Sequence, residues 1–490
     1  MPRPNSTWEA LRRLRHAPSS GRAEALLRVG FAFVLLVQLA WLWGDVAFFY
    51  STESPSPPLP TLAPFYRPDL LQLGYGIWLA SALLLLVGWF TRWAAAGCFI
   101  GCLYFLVLRQ PHATHAADWL IPNFAFHVAL LSSNRYLSLD RRWRAHSVPA
   151  RVAAWPLRLA QLSVAFFYFT AGTSKLGDPI WRHGKGFFMT FANPGLSHYD
   201  FTWLATMPVV SAALNYFVVV WECAMPLLLL WGRTRLFAVL SAAFFLVTVD
   251  INLPVGWFAW FCLANLLAFV DDTPWLAAIA QRSRWLAVAP NVTVETPSTG
   301  LKERLVSAFL VFHLSSFAWM QLAYGWIAVG NYAMGLRLAS VPVVGTYGYA
   351  IANVRYYALW PSEVFYRLRL VYLELEAQGK SAHALPPFDD AGRAHIGWLE
   401  SRNVREQVMV SLGLSESGWR RYLARVGQRF RDRTGDCPEH LRAYLLTVEP
   451  GSFGADLRRN KAPLQQAWLA CTSDDEVVVT GSGAVGPTAE

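Results

Sequence analysis

Long apolar runs, repeated along the first two-thirds of the chain, constrain the fold most. A membrane-crossing helix needs about 20 mainly apolar residues. A β-rich fold would show turn signals about every ten residues, and this sequence lacks them. We therefore expect an all-α polytopic membrane protein with about nine transmembrane helices. The predicted spans are 25–44, 70–90, 93–109, 119–133, 156–176, 207–231, 235–250, 254–271 and 304–328.

Composition supports this interpretation. Only 15% of the 490 residues are charged and 54% are hydrophobic, whereas soluble domains carry about 25% charged residues. The 23 tryptophans also agree, because Trp concentrates at membrane–water interfaces. The net charge of +10 comes from arginines in short segments between the apolar runs, which is typical of cytoplasmic loops. We expect the lipid bilayer, and no nucleic acid, as a partner.

Charge and hydropathy divide the chain into four parts. Residues 1–24 are basic and no convincing small-residue cleavage site follows them, which indicates a cytoplasmic N-terminus before a retained anchor. The transmembrane domain covers 25–330. A smaller, mixed α/β extramembrane domain covers 335–478, because FYRLRLVYLELE alternates like a strand and 397–448 is Arg-rich and helical in pattern. A disordered tail is expected over 479–490.

The basic residues predict the orientation. Arg-rich loops follow alternate spans, which places the N-terminus in the cytoplasm and, with an odd number of spans, the C-terminal domain on the other side. Arginine is used far more than lysine and no organellar signal is recognised, so we expect a bacterial inner membrane with that domain in the periplasm. Cys437 and Cys471 are the two cysteines of the domain and could form a disulfide if it is exported.

Lys175 closes the fifth predicted span. The chain has 5 lysines, at positions 175, 185, 302, 380 and 461, among 42 lysines and arginines. A cation that only anchors a helix end at the interface works equally well as arginine. A desolvated lysine, unlike arginine, can lose its proton and act as a base. The sequence leaves both interpretations open.

Other polar residues inside or near the spans are further candidates for a site. Glu222 lies in the middle of an apolar run, where a carboxylate usually faces a partner or a cavity. Asn123 and His127 share one helix face and could instead form interhelical hydrogen bonds. The remaining candidates are Trp181, His115, Asp118 and Asp250. No HExxH or similar pattern of metal ligands occurs, and we expect no metal.

Three segments carry a family resemblance in combination. LRLAQLSVAFFYFTAGTSKLGDPIWRHGKG (157–186) ends an apolar helix in Tyr-Phe-x-Ala-Gly-x-x-Lys-Leu, followed by Trp and Gly. SSNRYLSLDRRWR (132–144) holds an Asn-x-Tyr-x-Ser-x-Asp stretch, and VGWFAWFCLANLLAFVDDTPW (255–275) a Phe-rich helix before a Trp. In these segments the chain resembles the vitamin K-dependent γ-carboxylase family and its bacterial relatives, the HTTM (horizontally transferred transmembrane domain) proteins, as a bacterial-type member.

The resemblance implies an activity. In the animal carboxylases the lysine that matches Lys175 is taken as the base that deprotonates vitamin K hydroquinone. Reaction with O2 then yields a strong base that removes a γ-proton from glutamate, and the carbanion captures CO2. For this chain the resemblance implies a carboxylase-like lyase, or a quinol epoxidase-type relative. Its cofactor would be reduced vitamin K or menaquinol, and its partner a protein or peptide glutamate.

A second interpretation stays open. A functional histidine of the animal enzymes falls near Ala117, two residues from His115, and another before the eighth span has no counterpart. The chain would then be a non-catalytic HTTM-family protein that acts in maturation or transport of a partner. The surroundings of Lys175 discriminate between the two: a pocket large enough for a naphthoquinone favours the enzyme, and an ammonium facing lipid favours the anchor.

Overall fold

The structure is a computed structural model of the 490-residue chain. His115 and residues 484–490 of the predicted tail lie outside the residues that it describes. The described residues are 18–19, 21–52, 54–55, 63–108, 116–143, 152–192, 197–199, 201–253, 255–270, 301–328, 334, 337–338, 340–347, 369–377, 383–384, 414–449, 458–472 and 476–483.

Each predicted span corresponds to a helix in the described ranges. Helices satisfy every backbone hydrogen bond within one segment, which an apolar run in lipid requires. In chain order they are α1 (Arg22–Leu42), α2 (Pro68–Val87), α3 (Thr91–Cys102), α4 (Ala116–Leu130), α5 (Trp155–Gly177), α6 (Pro208–Leu230), α7 (Arg235–Asn252), α8 (Phe258–Leu266) and α9 (Leu301–Ala328). A π-turn (Leu103–Leu108) prolongs α3 and a 3-10 turn (Leu267–Phe269) prolongs α8. Short helices between or after them are Val46–Tyr50, Leu139–Trp143, Pro179–Arg182, Gly186–Phe191 and Pro342–Tyr347.

Length and hydropathy identify membrane-crossing helices within the described residues. Five segments are long and apolar enough: Arg22–Tyr50, which contains α1, then α2, α3 with its π-turn, α6 and α7. Shorter apolar stretches lie in α4, α8 and α9. Although α5 is long, its polar side chains, including Lys175, leave it outside this group. The chain is an integral membrane protein. Among the described residues these criteria identify five membrane-crossing helices, fewer than the nine or so predicted from the sequence.

The outer surfaces of the helices are apolar. Val209 and Leu227 on α6 are 81% and 76% exposed, and Phe244 on α7 is 75% exposed. Leaving such side chains in water forgoes about 1.5–3 kcal/mol each relative to burial in an apolar medium. A bilayer around the bundle provides that medium, which explains why these faces need no protein partner.

One end of the bundle is held together by buried charges, and we call it the Arg28 end. Arg28 donates to the carbonyl oxygens of Leu85, Leu86 (3.2 Å) and Leu137 (2.6 Å). Asp140 accepts from the backbone N–H groups of Phe90 and Thr91 at 2.9 and 2.8 Å, and so caps the start of α3. The family-like segment 132–144 therefore ties α1 to the α2–α3 turn.

The starts of α1 and α5 both lie at the Arg28 end. A two-residue antiparallel ladder pairs Pro18 with Ala153 and Ser19 with Val152, directly before these two helices. Their C-termini, and with them Lys175, therefore point to the opposite end, which we call the Lys175 end.

The C-terminal domain is a small α/β unit. Its strands are β1 (Arg369–Ala377), β2 (His383–Ala384), β3 (Pro438–Glu449), β4 (Arg458–Cys471) and β5 (Val477–Gly483). They form an antiparallel sheet in the order β2-β1-β3-β4-β5, and one helix, α10 (Glu416–Thr434), packs against it. Leu373, Leu441 and Ala467 of the sheet and Leu423 of α10 are buried between them.

This domain differs from the sequence prediction in two places. The helical pattern assigned to 397–448 gives a helix only at α10 among the described residues, because Gly435 ends it at φ 76° and residues 438–449 pair with β1 as a strand. The disorder expected from residue 479 is wrong for 479–483, because β5 continues to Gly483 along β4. Cys437 and Cys471 form a disulfide with a Cα–Cα distance of 6.1 Å.

The C-terminal domain docks at the Lys175 end, away from Arg28. Arg425 of α10 forms an ion pair with Asp45, just after α1. Its guanidinium also lies 4.2 Å from the ring centre of Phe48, and Arg421 donates to the carbonyl oxygen of Thr52 at 3.2 Å. The domain and the segment 132–143 thus lie at opposite ends of α1.

Candidate functional site

Helices α5 and α6 approach each other closely at Gly172. A Cβ atom at this position would lie 2.8 Å from the backbone nitrogen of Cys223 and 3.1 Å from the carbonyl carbon of Glu222. Only glycine fits this contact, since both neighbouring atoms belong to the backbone. The contact lies one helical turn below Lys175 and therefore sets how close Lys175 comes to Glu222.

Lys175 and Glu222 form a buried ion pair. The Nζ of Lys175 donates to both carboxylate oxygens of Glu222, at 2.9 and 2.6 Å. The two side chains are only 4% and 5% exposed. A charged pair so far from water is maintained only when its geometry is good, and here both carboxylate oxygens accept from the same ammonium. The ammonium does not face lipid.

Trp181 covers the same ammonium from the loop after α5. Its ring centre lies 5.2 Å from the Nζ of Lys175, a distance typical of a cation–π contact. Asp178 begins the short helix Pro179–Arg182 by accepting from the backbone N–H groups of Ile180 and Trp181. Gly186 leaves space for the indole, because a Cβ there would come within 2.2 Å of the ring.

Asn215 fixes this loop to α6. Its side chain donates to the carbonyl oxygen of Trp181 (2.8 Å) and accepts from the backbone N–H of Phe187 (3.1 Å). Asn215 is fully buried. Asn215 was not among the predicted site residues, although a detectable signal exists: Asn215 and Glu222 lie seven residues apart in an apolar helix and therefore on one face.

These elements enclose a pocket at the Lys175 end. The empty space between them is about 680 Å³, a figure that includes solvent at the open mouth. The wall of the pocket is largely aromatic, with Phe167, Tyr168, Trp181, Phe187, Phe191, Phe245 and Phe258. An aromatic wall favours a flat, apolar ligand, which would here lie beside one charged pair.

Two pocket residues carry buried donors without a hydrogen-bond partner among the described residues. They are the hydroxyl of Tyr168 and the indole N–H of Trp181. Both side chains are 3% exposed. Leaving a buried donor unpaired costs about 1–3 kcal/mol. A ligand with acceptor oxygens would remove that cost for both groups. Tyr168 was part of the family-like motif but was not selected as a site residue.

Among the described residues, the other predicted site residues do not line this pocket. Asp118 is buried at the start of α4. Asn123 accepts from the hydroxyl of Ser163 at 2.8 Å, as expected for an interhelical hydrogen bond. Asp250 accepts from Trp260. Val249 and Leu253, on either side of it in the chain, are part of the wall, but Asp250 is not among the residues that line the pocket.

His127 belongs to a separate cluster. Its Nδ1 donates to the carbonyl oxygen of Asn123 at 2.8 Å, and its ring centre lies 6.1 Å from that of His313 on α9. The Nδ1 of His313 lies 2.6 Å from the hydroxyl of Tyr347. His313 and Tyr347 were not among the predicted site residues, because nothing in their local patterns shows that the segment after α9 returns along this helix.

Comparison with known proteins places the chain in a family. No solved structure gives a significant match. The HTTM domain family matches residues 18–275, a range that holds α1 to α8, the Lys175–Glu222 pair and the described residues of the pocket wall. Since this match covers more than half of the 490 residues, the chain belongs to the HTTM domain family of membrane proteins.

Proposed function

We propose that the chain is a carboxylase-like membrane enzyme that deprotonates a quinol in the pocket beside Lys175. The observation that carries the proposal is the buried Lys175–Glu222 pair in the wall of an aromatic pocket. In the finer form of the proposal, the quinol, O2 and CO2 serve to carboxylate a glutamate side chain. A quinol epoxidase-type relative would use the same pocket without the glutamate.

The pocket residues fit a quinol. The aromatic wall suits a flat ring, and the Tyr168 hydroxyl and the Trp181 N–H are donors that lack protein partners. Reduced vitamin K or menaquinol would supply a weakly acidic hydroxyl that, once deprotonated, reacts with O2. The protein residues exclude water, orient the ring and remove the proton. A neutral amine at Lys175 would be the acceptor, and the ammonium so formed would face the oxyanion.

The proposed placement in the cell rests on the distribution of basic residues, on the composition and on the family resemblance. We propose about nine crossings, with the N-terminus in the cytoplasm and the C-terminal domain in the periplasm of a bacterial inner membrane. The position of that domain at the Lys175 end supports this topology, and so does the Cys437–Cys471 disulfide, because disulfides persist in oxidising compartments.

The test is quinol-dependent O2 uptake by the full-length protein in nanodiscs. Lys175→Arg keeps a cation but removes the proton acceptor, so we expect it and Lys175→Ala to abolish uptake. Lys185→Arg, at an exposed lysine in the next loop, is the matched control and should keep wild-type rates. Wild-type rates from Lys175→Arg would show that Lys175 is an anchor. If the wild-type protein turns over no quinol, the non-catalytic role in maturation or transport is favoured instead.

A further inference from the structure

Glu222 has no assigned role in the deprotonation described above. Sixteen described residues line the pocket, and of these only Lys175 and Glu222 carry a charge. A carboxylate is not needed to anchor a lysine at a membrane interface, where water and lipid headgroups suffice. In a buried site it must be paired, or its ionised form becomes very costly. The pairing with Lys175 therefore constrains any chemistry at the lysine.

The observed pair cannot accept a proton at Lys175. An ammonium that donates to both oxygens of Glu222 has no lone pair for a ligand hydroxyl. Its proton must leave first, and the oxygens of Glu222 at 2.6 and 2.9 Å are within hydrogen-bond distance. Transfer along either bond turns two buried charges into a neutral amine and a neutral carboxylic acid. An apolar surrounding disfavours both charged forms, which makes this transfer accessible.

We propose, on the basis of the proposed function, that the proton of a hydroxyl-bearing ligand passes through Lys175 and ends on Glu222. One N–H bond of Lys175 breaks and an O–H bond forms on Glu222. The O–H bond of the ligand then breaks and a new N–H bond forms on Lys175. The products are a neutral Glu222, a lysine ammonium and the ligand oxyanion, so no electron changes hands.

This route keeps the charge of the pocket constant. Before the transfer the ammonium is paired with the carboxylate, and afterwards it is paired with the ligand oxyanion. No step creates an unpaired charge inside the aromatic wall, where isolated charges are strongly disfavoured. A lysine that worked alone would need no carboxylate, and removing the carboxylate would leave its amine neutral more often. The two mechanisms therefore predict opposite effects for the loss of Glu222.

Two variants separate these mechanisms. Glu222→Gln keeps the size and an oxygen acceptor for Lys175 but cannot store a proton, whereas Glu222→Asp keeps a carboxylate. We expect kcat for menadiol-dependent O2 uptake to fall about 100-fold or more in Glu222→Gln, with a small change in KM, because positioned acid–base groups contribute about 10²–10⁴. Glu222→Asp should restore part of the rate. Glu416→Gln removes an exposed carboxylate and should leave the rate unchanged.

Infrared difference spectroscopy reads the proton directly. Menadiol added to the wild-type protein in nanodiscs should produce a carboxylic acid C=O band that is absent in Glu222→Gln and shifted in Glu222→Asp. An unshifted band would belong to another carboxyl group and would overturn the proposal, as would wild-type turnover by Glu222→Gln. If Glu222→Gln does not fold, the carboxylic acid band of the wild type and its shift in Glu222→Asp test the proposal. If the wild-type protein neither binds nor turns over menadiol, the proposed function fails as well; binding without the acid band refutes only the proton route.

Discussion

Gly172→Ala tests whether the contact of α5 with α6 sets the geometry of the site. The added Cβ would lie 2.8 Å from the Cys223 nitrogen, whereas ordinary contact begins at 3.4 Å. The helices must therefore separate by about 0.6 Å. The obstructing backbone atoms cannot move aside by rotating a side chain. Overpacking of this kind costs about 1–3 kcal/mol.

The same shift weakens the Lys175–Glu222 pair. Its distances of 2.9 and 2.6 Å would lengthen toward the limit of a hydrogen bond. Hydrogen bonds to charged groups contribute about 1.5–3 kcal/mol to the free energy of unfolding, and lengthening them would lose part of this contribution. Alanine regains about 1 kcal/mol of helix propensity over glycine. We expect a net loss in the free energy of unfolding of about 1–3 kcal/mol.

Thermal melting in nanodiscs, followed by size-exclusion chromatography, measures this loss. Gly232→Ala is the matched control, because a Cβ there meets no atom within 4 Å, and it should melt like the wild type. Quinol turnover should fall in Gly172→Ala and stay unchanged in Gly232→Ala. If Gly172→Ala melts and turns over quinol like the wild type, the reasoning is wrong, because α5 and α6 would then have room for a methyl group at this position.

Three further predictions concern the parts that hold the site in place. Asp140→Ala removes the cap at the start of α3 and should lower the free energy of unfolding by about 0.5–2 kcal/mol, measured by thermal melting. Arg425→Ala should raise hydrogen exchange in the segment after α1. Arg420→Ala, which removes an exposed ion pair with Glu416 and a hydrogen bond to Ser482 of β5, should leave that exchange unchanged. Cys437→Ser removes the disulfide that closes a loop of 34 residues to Cys471, and it should destabilise the C-terminal domain by about 4 kcal/mol. The loss should appear as faster proteolysis of this domain. Equal proteolysis of variant and wild type would contradict the prediction.

Helix positions could be predicted from the sequence because apolar runs in lipid leave the backbone few alternatives. The predicted start of the fifth span at 156 and its end at 176 lie within one residue of α5, Trp155–Gly177. The end of the predicted helix at 448 was wrong because a strand and an amphipathic helix can share a polar, Arg-rich composition. There the pairing with β1, and not the local pattern, decides the structure.

The two charged residues of the candidate site could be selected from the sequence, but their contact could not. Lys175 and Glu222 were both selected because charges are rare in apolar runs. Their pairing across 47 residues depends on which faces of α5 and α6 meet. That choice depends on the small surface of Gly172, and one sequence alone does not show which glycine faces a neighbour. Asp250 was expected nearby, yet it does not line the pocket although Val249 and Leu253 on either side of it do, so position in the chain alone does not decide which side chains line a site.

The ion pair between Asp45 and Arg425 also constrains how the protein is made. The two partners are 380 residues apart, so the segment after α1 leaves the ribosome long before the helix that covers it. During synthesis Asp45 and Phe48 must remain uncovered while the helices between them and α10 are inserted. The C-terminal domain can dock only when the bundle is complete. Docking therefore occurs only after the helices before α10 have been inserted into the membrane. If synthesis of the chain stops midway, the segment after α1 stays accessible to proteases or chaperones.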